Sequence, residues 1–167
     1  MPKDLYLLRH AEAVGKGSRQ DDKSRELTHA GMKESLQMGA WLREQKISFD
    51  LLVSSSAVRA EQTTSLLAEG MKLDQPRILL EDVLYEASVG QFLEYINNIE
   101  EVYHHVLIAG HNPTISYLAE YLTKADIGEM ATGSIAMIKF DLSSWKLVSE
   151  NTGVLEQYVT PESLNAS

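Results

Sequence analysis

The chain has 167 residues, 44% of them hydrophobic and 23% charged, with a formal net charge of -9 and no cysteine. That is the size and balance of one globular domain with a real core. The negative charge argues against a nucleic-acid binder or a protein held on anionic lipid, and the missing cysteine excludes disulfides and thiol chemistry. The start, MPKDLYLLRHAEA, has no signal-peptide pattern and no apolar run approaches a membrane span, so the expected location is the cytoplasm.

Leu5 to Leu8 is a short apolar run, the mark of a strand buried on both faces. Residues 11 to 28 are polar and glycine-bearing and read as a long loop. Thr28 then suits an N-cap for a helix over 29–46, with Met32, Leu36 and Ala40 on one face. DLLVSS (50–55) is a second buried strand. Ser54 to Ser56 are candidate caps for a helix running to about Gly70, with Ala60, Thr64, Leu67 and Met71 on its inner stripe. A short strand is expected over 77–80, and Ser88 suits the cap of a helix with Phe92, Ile96, Ile99 and Tyr103 inward. VLIAG (106–110) is another buried strand. It leads through His111, Asn112 and Pro113 into a helix carrying Ile115, Leu118, Ala119 and Leu122 at helical spacing. Two strands, 134–140 and 146–150, are expected around a turn near Ser143 and Ser144. The end, from about 160 to 167, reads as a loose tail. Alternating buried strands and amphipathic helices predict a three-layer α/β/α fold with a mainly parallel central sheet, and a single domain over 1–167.

In such sheets ligands bind outside the carboxyl ends of the strands. Three strand ends here carry unusual groups: Arg9-His10, Arg59 in the first turn of a helix, and His111 at another helix start. A cation at a helix N-terminus opposes the dipole, and a bound anion reverses that penalty. Arginines offer forked donors to a phosphoryl group. One neutral histidine can attack phosphorus while a second, protonated one stabilises the charge. Taken singly, each residue also reads blandly, as a surface turn, a surface cation or a capping histidine. Their coincidence at the ligand-binding side is what favours an anion site. Elsewhere the bland readings stand. His104 and His105, adjacent on a strand, point to opposite faces and do not suggest a metal. His29 reads as a surface residue at a helix start, and Asp21-Asp22 and Glu100-Glu101 read as solvated charge. No P-loop sequence is present.

These segments together resemble the histidine phosphatase superfamily, with its phosphoglycerate mutase-like fold, and most closely its short SixA-type phosphohistidine phosphatases. The matching stretches are LYLLRHAEA (5–13), RELTHAG (25–31), LLVSSSAVRAEQTTSLL (51–67), LYEAS (84–88) and VLIAGHNP (106–113). The resemblance implies that His10 is a nucleophile that becomes phosphorylated and that Arg9 and Arg59 hold the phosphoryl oxygens. It makes His111 the second catalytic histidine. Arg25 is a further candidate substrate contact, with a loop-anchoring ion pair as its alternative, and Asn112 a candidate contact through its backbone. Glu86 is the candidate general acid, the alternative being a structural carboxylate at the pocket rim. Position 11, usually glycine in the family's R-H-G, is Ala11 here. No metal or cofactor is implied. The loop over 11–28 and the stretch between Thr123 and Gly133 are too short for a large lid. An open pocket suits a phosphohistidine-carrying domain of a partner protein. A small phosphoester as substrate, or a binding module without turnover, are the alternatives.

Overall fold

The computed structural model describes residues 2–15 and 21–165. Six strands form one sheet in the order β3-β2-β4-β1-β5-β6. They are β1 (Lys3–Arg9), β2 (Leu51–Ser55), β3 (Ile78–Glu81), β4 (His105–Gly110), β5 (Ile135–Phe140) and β6 (Gly153–Val159). The four from β3 to β1 run parallel, β5 runs antiparallel to β1, and β6 runs antiparallel to β5. This is the mainly parallel sheet that the apolar runs predict.

Helices cover both faces. On one, α3 (Val89–Asn97) and α4 (Thr114–Thr123) bring Phe92, Ile96, Ile115 and Leu118 onto Leu5, Leu7, Val106 and Ile108. On the other, α1 (His29–Glu44) and α2 (Val58–Gly70) bring Met38, Leu42 and Leu67 onto Leu8, Leu52 and Leu107. A short α5 (Pro161–Leu164) closes the chain. No helix among the described residues is long and apolar enough to cross a membrane.

Thr28 caps α1 as expected, accepting from the Gly31 N–H, but the buried stripe of that helix is not Met32, Leu36 and Ala40. It is Gly31, Ser35, Met38, Gly39 and Leu42. The reason is a close helix crossing. A Cβ on Gly39 would lie 2.1 Å from the Leu67 carbonyl oxygen, so α1 turns its small residues, not its largest, towards α2. Ser88 caps α3 with a full capping box.

The C-terminal third departs furthest from expectation. No strand forms over 146–150; Trp145–Leu147 is one turn of 3-10 helix. Trp145 is fully buried, and the Asn97 amide donates to the Trp145 and Val148 carbonyls at 2.9 Å, tying this segment to the end of α3. The last strand is β6, which sequence reading missed. The tail is not loose through residue 165: Thr160 and Ser163 form a capping box around a buried Pro161. Residues 166–167, and 16–20 of the expected loop, lie outside the described residues.

Candidate active site

Register fixes the site. Arg9 pairs with Gly110 across β1 and β4, and Ser54 pairs with Ala109 across β2 and β4. His10, Ser55 and His111 therefore lie side by side at the carboxyl ends of three adjacent parallel strands. The rings of His10 and His111 lie 5.2 Å apart between centroids.

The His10 Nδ1 lies 2.8 Å from the Ala11 carbonyl oxygen. A carbonyl only accepts, so Nδ1 carries the proton and Nε2 keeps its lone pair. Burial, reinforced by the charges of Arg59 and Arg9, pushes the His10 pKa down to about 4, against the pull of the Ala11 bond. His10 is neutral at pH 7. Ala11 is buried, donates its N–H to Thr63 Oγ1 at 2.9 Å, and keeps an ordinary negative φ, so the site does not need glycine there.

His111 Nε2 lies 2.7 Å from Ser55 Oγ, and the Ala57 N–H donates to the same hydroxyl at 3.2 Å. The three serines do not cap α2, whose N-cap, Ala57, has no side-chain bond. Ser55 holds His111 instead. Burial, then the neighbouring His10 and Arg59, depress the His111 pKa to about 3. The expected protonated second histidine is thus neutral in this state, chiefly because it is buried, with Arg59 beside it outweighing the pull of Asp22.

Asp22 is not solvated charge. Its carboxylate accepts from the Tyr85 hydroxyl at 2.6 Å, from Arg59 Nη2 at 3.0 Å and from Arg25 Nε at 3.0 Å. Tyr85 first, then Arg59 and Arg25, hold this carboxyl far below the usual range against the cost of burial. Its backbone carbonyl takes Arg59 Nη1 at 2.7 Å. Arg25 also donates to the Val14 carbonyl at 2.8 Å, which is the loop-anchoring arrangement. Glu101 is likewise engaged, 3.4 Å from the buried ammonium of Lys3.

Arg9 donates to the Met130 carbonyl at 2.5 Å and lies 3.8 Å from Glu129. The Nε atoms of Arg9 and Arg59 and the Nδ1 of His111 are buried with no partner among the described residues. Such unspent polar atoms around one cleft suit an anionic occupant. Asp22, Arg25, Arg59, Tyr85, Glu86 and His111 border a hollow of about 390 Å³. It adjoins a hollow of about 320 Å³ bordered by Arg9, His10 and Glu12. Glu86 stands exposed at the rim. Asn112 turns its side chain to Ser116 Oγ, 2.6 Å away, and borders both hollows. Among the described residues no group of three or more histidine or acidic side chains could hold a metal ion.

The structure thus gathers Arg9, His10, Arg25, Arg59, Glu86, His111 and Asn112 around one cleft. Sequence reading missed Ser55, Asp22 and Tyr85. The S-S-S run and the L-Y-E-A stretch were visible, but nothing local says that Ser55 faces a histidine from another strand.

Residues 5–104 match the family described as Histidine phosphatase superfamily (branch 1). The phosphohistidine phosphatase SixA of Escherichia coli K12 is 28% identical, over 83% of this chain and 86% of its own. The structure of the protein histidine phosphatase SixA complexed with tungstate superposes with a TM-score of 0.81 at 26% identity, over 96% of this chain and 99% of that one. A phosphoglycerate mutase of Bacillus anthracis shares the fold at a TM-score of 0.71 and 14% identity, over 98% of this chain and 96% of its own.

Proposed function

The chain belongs to the histidine phosphatase superfamily, branch 1, and on that premise we propose that it removes the phosphoryl group from phosphohistidine on a partner protein. The observation that carries this reading is His10: neutral, with its Nδ1–H held by a backbone carbonyl and its Nε2 lone pair free, in a cleft with Arg9, Arg59 and His111. Nε2 attacks phosphorus as the bond from phosphorus to the substrate's imidazole nitrogen breaks. When that imidazole is protonated on its other nitrogen, it leaves neutral with the bonding electron pair. Water then attacks the phosphoryl-His10, the N–P bond breaks, and phosphate leaves while His10 regains its lone pair. Arg9 and Arg59 hold the phosphoryl oxygens, with Arg25 behind them. His111 adds a hydrogen bond, and a phosphoryl dianion beside it draws its pKa back up from about 3.

Three features support a phosphohistidine substrate. Relatives named SixA align over nearly the whole chain. A relative in complex with tungstate favours a tetrahedral oxyanion as occupant. Glu86, the candidate acid, sits exposed at the rim, and a phosphohistidine, unlike an alkyl phosphate, has a leaving group that needs no strong acid.

The test is trapping by rapid acid-free quench with a labelled phosphohistidine protein. The native chain should carry label on His10, and His10→Ala should lose both label and turnover. Surviving turnover in His10→Ala would overturn the mechanism. A small phosphoester turned over as well as the phosphoprotein, in a parallel panel, would overturn the substrate assignment. Binding without turnover in the native chain would leave only a recognition module.

A further inference from the structure

A hollow of about 610 Å³ opens off the catalytic cleft, and Arg9 and Asn112 border both. Beyond that shared edge its walls are Tyr117, Glu120 and Glu129. Tyr117 and Glu120 are three residues apart on α4 and so share one helix face, and the Tyr117 side chain is 59% exposed. Glu129 has an exposed carboxylate whose ion pair is with Arg9 at 3.8 Å, and Glu120 forms no ion pair among the described residues. The hollow therefore holds an Arg9–Glu129 ion pair at its inner end, next to His10. At its outer end the Glu120 carboxylate, unpaired among the described residues, stands beside the exposed Tyr117 ring.

Resting on the phosphohistidine reading above, we propose that this hollow is a docking subsite for a basic side chain, lysine or arginine, displayed beside the phosphohistidine on the partner protein. The phosphoryl group meets Arg9 at the inner end. The neighbouring ammonium or guanidinium meets Glu120, with its stem against the Tyr117 ring. A free phosphoester has no cation to place there and leaves Glu120 unused. The hollow thus selects for a peptide context around the phosphoryl group. A chain of net charge -9 would meet such a basic face favourably at long range as well.

The experiment compares kcat/KM for free phosphohistidine, a phosphohistidine peptide with neutral flanks, and the same peptide with a flanking lysine. The native chain should prefer the lysine peptide by about fivefold, mostly through KM, and lose that preference in high salt. Glu120→Gln and Tyr117→Ala should shrink the preference while leaving free phosphohistidine unchanged, and Glu120→Lys should invert it. Equal rates on the two peptides in the native chain would overturn the subsite and leave the phosphatase reading standing. Variants that slow free phosphohistidine as much as the lysine peptide would also overturn it, since the hollow would then act only through the fold. No turnover of any of the three would instead sink the phosphohistidine reading itself.

Discussion

The two sides of the cleft are built differently. On one, His10, Ser55 and His111 step off adjacent parallel strands, and their side chains are set by a backbone carbonyl and a buried hydroxyl. On the other, Asp22 opens and Arg25 follows one 3-10 turn, Tyr85 and Glu86 follow another, and the Asp22 carboxylate ties Arg25, Arg59 and Tyr85 together. The strand side is fixed by the ladders of the sheet. The loop side is fixed by one carboxylate. Burial of neutral groups positions the proposed nucleophile, and charge balance positions the proposed clamp.

Outside the proposed nucleophile, the largest effect should come from Asp22, because one side chain organises three donors. Asp22→Ala should lower kcat/KM by about a hundredfold, the scale of an ångström-sized misplacement of a binding group, and should weaken inhibition by tungstate. If tungstate instead binds the variant more tightly, Asp22 competes with the oxyanion rather than bracing its ligands, and the contrast between the two sides fails. On the strand side the sheet should limit the damage. Ser55→Ala removes the bond to His111, about 1 kcal/mol, together with the one from the Ala57 N–H, and should lower kcat by about fivefold with KM nearly unchanged. Rescue by Ser55→Thr separates loss of the hydroxyl from loss of packing.

This contrast also explains what was legible in the sequence. Strands buried on both faces are continuous apolar runs, so β1, β2 and β4 announce themselves, and with them the residues at their ends: Arg9, His10, Arg59 and His111. Asp22 is one of two adjacent acids in a polar loop, and pairs of that kind are usually solvated. Only the fold brings Arg59 and Tyr85 to it. The same limit applies to β6, an edge strand whose Val154 is 66% exposed. Its partner, β5, reads plainly because four of its first five residues are buried. Apolar side chains at 147 and 148 suggested a strand one turn too early, where Asn97 takes the carbonyls that a ladder would need.

The strand side should also respond to acid on its own. His10 and His111 have pKa values held at about 4 and about 3, against 6.5 for the free side chain. Between those limits the unfolded chain binds protons that the folded one refuses, so stability falls as pH drops from about 6.5 towards 4. Thermal midpoints measured across that range should decline, and His111→Asn should flatten the decline. Added tungstate should do the same, since an oxyanion raises the folded-state pKa of its neighbours. An equal slope in the native chain and His111→Asn would show that other groups carry the acid sensitivity.

The smallest expected effect is at Glu86, and its size depends on the leaving group. An exposed carboxyl group at the rim can act as an acid only on a group that arrives beside it. A phosphohistidine brings an imidazole that leaves neutral, so Glu86→Gln should change kcat on that substrate by less than about twofold. An alkyl phosphate leaves as an alkoxide, and loss of a working general acid costs about a hundredfold or more. Glu86→Gln assayed on both classes therefore measures whether the loop side takes part in chemistry or only in binding. A large loss on phosphohistidine would move Glu86 into the chemical step, and the loop side of the cleft would then share that step with His10.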